Sequence, residues 1–268
     1  MKLHTAGPAW LFCPADRPER FAKAAAVADV VILDLEDGVA AADRPAAREA
    51  LRGNPLDPER TVVRVNPAGT EDQARDLEAL ADTAYTTVML AKTESADQVT
   101  ALAPRQVVAL LETPRGVVFS TEIAAQQGCV AMMWGAEDLV AAMGGGSSRH
   151  ADGTYRDFAR HARSTVLLAA SAFGRAALDA VYLNIGDLDG LKAEAIDGAA
   201  VGFAATVCIH PTQVAVVRDA YRPDADKVDW ARRVLAAAQG ERGVFAFEGQ
   251  MVDSPVLRHA EAILRRAD

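Results

Sequence analysis

Residues 106–138 read QVVALLETPRGVVFSTEIAAQQGCVAMMWGAED. An apolar run from Val107 to Leu111 ends on Glu112. A segment with helical character follows, and a second apolar run, Val130 to Trp134, ends on Gly135 and then Glu137-Asp138. Apolar runs that are continuous rather than alternating mark strands buried on both faces. A helix between two such strands predicts parallel pairing. In a parallel barrel the carboxyl ends of the strands open at one mouth, so this pattern carries Glu112 and Asp138 to the same place. Two converging carboxylates either repel each other or share a cation.

The same unit recurs outward in both directions. Strands are predicted over residues 9–13, 30–35, 61–65, 86–90, 107–111, 130–134, 180–183 and 206–209, with amphipathic or alanine-rich helical segments between them. Asp16 is a candidate N-cap for the first helix, and Asp43-Arg44-Pro45 places a proline in the first turn of the second. Eight strands alternating with helices predict an α/β fold, a (β/α)8 TIM barrel. Residues 224–268 exceed what a closed barrel needs. We therefore divide the chain into a barrel catalytic domain, 1–223, and a C-terminal helical extension, 224–268, a candidate lid or subunit clasp.

The chain has 268 residues, half of them hydrophobic, enough for one domain with a large core. Its net charge of −9 argues against nucleic acid as the main partner. No apolar run reaches the roughly 20 residues that span a bilayer. The opening MKLHTAGPAWLF is too short in its apolar part for a signal peptide, so a cytoplasmic location and no membrane partner are expected. Cys13, Cys129 and Cys208 are widely spaced and sit in or beside apolar runs, which predicts buried, reduced thiols rather than a zinc site or disulfides.

At the predicted strand ends stand Asp16 and Arg17, Glu36 and Asp37, Arg64 and Asn66, Lys92, Glu112, Glu137 and Asp138, Asn184, and His210. Arg64 and Glu36 lie within or beside apolar strand sequence, where an unpaired charge is costly; a purely structural role would require them to pair with each other. Oxygen donors without clustered His or Cys suit a hard cation. Magnesium takes one or two carboxylates and completes its octahedron with water and substrate oxygens, and Glu112 and Asp138 fit that arrangement. The substrate is then an oxygen chelator such as a 2-oxo acid or a 3-hydroxy acid. Arg64 is a candidate to stabilise an oxyanion, with Lys92 as a second positive group. A Schiff base on Lys92 is the less economical chemistry beside a metal. Gly144-Gly145-Gly146-Ser147-Ser148 lacks the phosphate-loop pattern and reads as a mobile connection. His210 reads as a packed, hydrogen-bonded histidine. Arg17, Arg20 and Lys23 are basic groups near the mouth, either contacts for the phosphates of a cofactor or solvated helix positions.

The ordered motifs FCPADR (12–17), LDLEDGV (33–39), RVN (64–66), KTES (92–95), ET (112–113), GAEDL (135–139) and IHP (209–211) resemble the citrate lyase beta-subunit-like family, within the aldolase/citrate lyase group. The resemblance spans nearly the whole chain and is closest to stand-alone, mycobacterial-type acyl-CoA lyases. It implies reversible, magnesium-dependent cleavage of a 3-hydroxyacyl-CoA, of citramalyl-CoA or 3-hydroxy-3-methylglutaryl-CoA type, to a short acyl-CoA and an oxo acid. It further implies magnesium on Glu112 and Asp138, and an oxo-acid carboxylate on backbone amides of Ala136, Glu137 and Asp138. Arg64 would act on the thioester oxygen, and Glu36 and Asp37 would form an acidic shell. Asp253 would be the acid/base group reaching a neighbouring subunit of a homotrimer. One departure from the family pattern is Ala91, where a proline usually precedes the lysine. Other roles compatible with the residues are the lyase subunit of a citrate lyase complex acting on a carrier-protein thioester, a class II aldolase on free oxo acids, and a non-catalytic barrel.

Overall fold

The computed structural model describes residues 6–240 and 243–267; the first five residues of the opening segment, and Glu241 and Arg242 of the tail, lie outside the described residues. Eight strands form a closed parallel barrel in sequence order: β1 Ala9–Pro14, β2 Val30–Asp34, β3 Thr61–Val65, β4 Thr87–Leu90, β5 Gln106–Leu111, β6 Cys129–Trp134, β7 Ala176–Asp179 and β8 Ala205–Cys208. β8 closes on β1 with Trp10 beside Val207. The helices are α1 Phe21–Val27, α2 Arg44–Gly53, α3 Glu71–Ala81, α4 Ala96–Thr100, α5 Pro114–Val118, α6 Ser120–Ala124, α7 Ala136–Ala142, α8 Asp157–Ala172, α9 Leu188–Val201, α10 Pro211–Tyr221, α11 Ala225–Ala238 and α12 Ser254–Ala267. None of the described helices is long and apolar enough to cross a membrane.

Alternate residues of the strands build the inner core. Trp10, Val30, Ile32, Val62, Met89, Val108, Leu110, Ala131, Met133, Leu178 and Val207 belong to one buried cluster, with Phe12 packed against it. The period of two along a strand extends this register upward. Val30 and Ile32 are followed in phase by Asp34, Val62 by Arg64, and Val108 and Leu110 by Glu112. Each of these charged residues is at most 8% exposed. The barrel interior is thus apolar below and charged in its topmost layer, where barrel enzymes hold their chemistry.

Strand seven departs from the sequence expectation by four residues. The run 180–183 (AVYL) is the more hydrophobic segment, yet the pairing falls on Ala176–Asp179, with Leu178 beside Ala205 and Asp179 beside Thr206. Asp179 explains the choice. Its carboxylate accepts from Trp134 Nε1 at 2.7 Å and from Arg163 Nη2 at 2.7 Å, which anchors the strand end to β6 and α8. Leu183 is exposed, and Asn184 lies in the loop beyond rather than at a strand end. Asp16 also departs from expectation. A short 3₁₀ turn over Pro18–Arg20 precedes α1, its N-cap position is Arg17, and neither turn nor helix has a side-chain cap. All three cysteines are buried, and burial pushes the thiols of Cys13 and Cys129 up to about 11.

The chain divides into two compact units, Met1–Val217 and Arg218–Asp268. Within the second, α11 and α12 enclose a small core of Ala231, Val234, Val252, Ala260 and Ile263. A hairpin not expected from the sequence joins them: β9 Phe245–Phe247 pairs antiparallel with β10 Gln250–Val252. Its turn places Glu248 and Gly249 at positive φ. Asp253 follows β10 directly, and its Oδ1 accepts from Val256 N at 3.3 Å in the first turn of α12.

Candidate active site

Asp34 and Arg64 are direct register partners on β2 and β3. Arg64 Nε and Nη2 donate to the two oxygens of Asp34 at 2.7 and 2.6 Å. The same oxygens accept from the backbone N–H groups of Glu36, at 2.9 Å, and Gly38, at 2.8 Å. Gly38 is required by that approach: a Cβ there would stand 2.3 Å from Asp34 Oδ2. Arg64 Nη1 lies 3.1 Å from Glu36 Oε2, and the Phe12 ring covers the guanidinium with its centroid 4.7 Å away. Burial opposes the charge on Arg64, but Asp34, and after it Glu36, more than offset this and raise its pKa. Arg64 and Glu36 therefore do pair, and Asp34, which the sequence reading left out of the site, completes the group.

Behind them, Asn66 fixes the end of β3. Its backbone N–H and side-chain amide both donate to Asp76 Oδ2, at 2.9 and 2.8 Å. Arg48 Nε donates to the other oxygen of Asp76 at 2.8 Å. Asn66 is thus a structural strand-end residue.

Lys92 stands at the centre of the mouth. Its φ of 51° lies in the left-handed region, which costs a non-glycine residue about 1–2 kcal/mol. This backbone lets Lys92 N donate to Glu112 Oε1 at 3.0 Å. Its ammonium bonds Glu36 and lies 3.2 Å from Asp37, 3.3 Å from Asp138 and 4.0 Å from Glu112. Burial disfavours the ammonium, but the hydrogen bond to Glu36 and the charges of Glu112, Glu36 and Asp138 outweigh it and raise its pKa.

Glu112 follows β5 and is 3% exposed. Burial, then the nearby Asp138 charge, pushes its carboxyl up to about 8, with Lys92 and Arg64 only partly opposing. Glu36 is raised too, by burial first, against Arg64 and Lys92. The rise of Lys92 reflects the carboxylates around it, whereas the rises of Glu112 and Glu36 come first from burial. Asp34, Glu36, Asp37, Glu112 and Asp138 share Lys92 and Arg64 as their cationic partners. Asp138 lies in the first turn of α7 and is half-buried. Gly135, just before that helix, leaves room for Glu112: a Cβ there would meet Glu112 Cβ at 2.8 Å.

Among the described residues no three His, Cys, Asp or Glu side chains form a complete protein cage for a metal. Two converging carboxylates are what magnesium commonly takes from a protein, with water and substrate oxygens filling its other positions. The oxygen donors and the uncompensated charge at Glu112 and Asp138 fit that ion.

The remaining sequence candidates take varied positions. Ala136, Glu137 and Asp138 open α7 beside Glu112's strand, so their backbone N–H groups belong to a helix N-terminus. The Glu137 carboxylate has a role the sequence reading did not give it, accepting from Ser148 Oγ at 2.6 Å. That bond, with Arg149 stacked 3.7 Å from the Tyr155 ring centroid, pins the loop between α7 and α8 at Ser148-Arg149. Asp37 is exposed; burial acts to raise its carboxyl, but Lys92 more than offsets this and lowers it. Arg17 is half-exposed, 3.8 Å from Asp16. Arg20 and Lys23 are solvent-facing. His210 Nδ1 is hydrogen-bonded to Thr212 Oγ1 at 2.8 Å.

Comparison with known proteins identifies the family. The family model HpcH/HpaI aldolase/citrate lyase matches residues 9–211. The citrate lyase subunit beta-like protein of Mycobacterium tuberculosis (strain H37Rv) is 73% identical over 267 residues, covering the whole chain and 98% of that protein. The mitochondrial citramalyl-CoA lyase of Homo sapiens is 31% identical, over 94% of this chain and 82% of its own. The crystal structure of CitE from M. tuberculosis in complex with magnesium, acetoacetate and coenzyme A superposes with a TM-score of 0.95 at 73% identity, covering 98% of this chain and 99% of that one. The chain belongs to the HpcH/HpaI aldolase/citrate lyase family and is a carbon–carbon lyase.

Proposed function

From that membership, we propose that this chain reversibly cleaves a 3-hydroxyacyl-CoA of citramalyl-CoA or 3-hydroxy-3-methylglutaryl-CoA type to a short acyl-CoA and an oxo acid, in the cytoplasm. The observation that carries the reading is the convergence of Glu112 and Asp138, under-compensated in charge, beside the rigidly held Arg64. Glu112 and Asp138 would hold magnesium, which supplies Lewis-acid polarisation of the oxo-acid carbonyl. The relative crystallised with magnesium, acetoacetate and coenzyme A supports that ligand set.

Cleavage leaves negative charge on the thioester oxygen as the carbon–carbon bond breaks, and Arg64 meets it with a preorganised guanidinium. The N–H groups at the head of α7, Ala136 to Asp138, hold the oxo-acid carboxylate. Glu36 and Asp37 hold the Lys92 ammonium and keep it over the acidic pair. Arg17 is the candidate CoA contact. Asp253, at the head of α12, is the proposed acid/base group at the enolate carbon, acting in the site of a neighbouring copy of a homotrimer.

The test is turnover of citramalyl-CoA and 3-hydroxy-3-methylglutaryl-CoA with magnesium and with EDTA. Metal-dependent release of acyl-CoA is expected; turnover unaffected by EDTA rules the mechanism out. Cleavage of the carrier-protein thioester alone would instead make the chain a citrate lyase subunit. Asp253→Asn is expected to lower kcat by about 100-fold, within the range for general acid–base groups. If Asp253 crosses between copies, mixing and reassembling Asp253→Asn with Glu112→Gln protein restores part of the activity.

A further inference from the structure

We propose that Asp34 is a positioning residue for this reaction, fixing the guanidinium of Arg64 in one orientation at the mouth and tying it to the loop that carries Glu36. The inference rests on the lyase reading above. A guanidinium has five N–H donors in a rigid fork. Asp34 takes two of them, from Nε and Nη2. Glu36 stands 3.1 Å from Nη1. Asp34 thus leaves the Nη1 end of the fork, in ionic contact with Glu36, and one N–H of Nη2 to meet charge that develops on a thioester oxygen. With Phe12 against the ring plane and the fork anchored along one edge, the remaining donors have one direction available.

Asp34 also serves the loop. Its two oxygens accept the Glu36 and Gly38 N–H groups, so the backbone that carries Glu36 is wound on the same carboxylate that holds Arg64. Glu36 in turn holds Lys92. Movement of Asp34 therefore moves Arg64 directly and Lys92 through Glu36. A carboxylate is needed here. An asparagine at this position can accept with one atom only, and its amide would face a guanidinium N–H with another donor. Gly38 gives an independent handle on the same contact, because any side chain there drives into Asp34 Oδ2 while leaving every charge in place.

The experiment compares Asp34→Asn and Gly38→Ala, alone and combined with Arg64→Lys, by steady-state kinetics, magnesium calorimetry and crystallography. Asp34→Asn is expected to lower kcat by at least 100-fold and Gly38→Ala by at least tenfold. The KM for the acyl-CoA should change less than threefold and the magnesium affinity less than twofold. In the Arg64→Lys background either change should lower kcat less than tenfold further, because the larger part of each acts through the Arg64 fork and only the route through Glu36 and Lys92 remains. Fully multiplicative losses, or a kcat within threefold of wild type in Asp34→Asn, overturn the proposal. If Asp34→Asn does not fold, Gly38→Ala decides by the same criteria. Crystal structures decide independently of turnover: displaced Arg64 in either variant supports the proposal, and unmoved Arg64 in both overturns it. Absence of turnover in the wild-type enzyme would sink the lyase reading and leave the crystallographic outcome standing.

Discussion

The two sides of the barrel mouth handle charge in opposite ways. On the β2–β3 side, Asp34 and Arg64 meet in a bidentate pair, with two backbone N–H groups bonded to Asp34 and Glu36 in ionic contact with Arg64. Both are nearly dry, and a buried pair is tolerable only where hydrogen bonds and ionic contacts support it in this way. On the β5–β6 side, Glu112 and Asp138 have Lys92 to share between them, at 4.0 and 3.3 Å, and Lys92 is drawn away by Glu36 and Asp37. The first side is a closed ionic assembly that orients one cation. The second is left short of positive charge. The contrast is the ground for proposing a hard cation beside Glu112 rather than beside Asp34, although both carboxylates top the same inner layer.

The most severe way to test the contrast is to neutralise the open side. Glu112→Gln is expected to lower kcat/KM by about a thousand-fold, several kcal/mol at 1.4 kcal/mol per tenfold, and to abolish measurable magnesium binding in calorimetry. Because burial disfavours the Glu112 charge, the same variant should fold as stably as the wild type in EDTA, or more so. Substitution on the closed side should act in the other sense. Arg64→Lys keeps a charge but loses the fork. It should lower kcat by about 100-fold and lower stability by about 1–3 kcal/mol, read from denaturant melts, while magnesium still binds.

Gly135→Ala probes the open side more gently. Its methyl group must displace Glu112, whose Cβ stands 2.8 Å from the added atom, so magnesium affinity should fall about tenfold. Overpacking of this kind costs about 1–3 kcal/mol, which thermal melts of the metal-free protein would show.

The smallest effect expected is a pH dependence confined to the open side. Glu112 titrates ordinarily near 4.5 and in the folded protein near 8. Between these values the folded state holds a proton that the unfolded state has released, so stability of the metal-free protein falls as pH rises through that window and levels off above it. Magnesium binding requires the ionised form, so the stabilisation it adds should grow from pH 6 to pH 8.5. Melting temperatures with EDTA and with magnesium across that range give both slopes, and Glu112→Gln should remove Glu112's share of each. A magnesium-induced shift independent of pH would place the cation elsewhere.

What the sequence alone determined follows from local periodicity. Continuous apolar runs specified all the barrel strands but the seventh, and the residues at or just beyond their ends brought Arg64, Lys92, Glu112 and Asp138 to one mouth. Asp34 stands in phase with Val30 and Ile32, but the apolar run continues past it to Leu35, so by sequence alone the strand end falls on Glu36. Strand seven was not legible, because Ala176-Ala177-Leu178-Asp179 is less hydrophobic than the four residues after it and is selected by the anchoring of Asp179 to Trp134 and Arg163. The tail hairpin was equally hidden, its strands being three residues each. Only the tertiary structure decided which charges pair. A strand's own sequence sets the direction and burial of its side chains, whereas the partner of each charge is set by register between strands and by barrel closure. Those put Asp34 within reach of both Arg64 donors and left Glu112 with a distant share of Lys92.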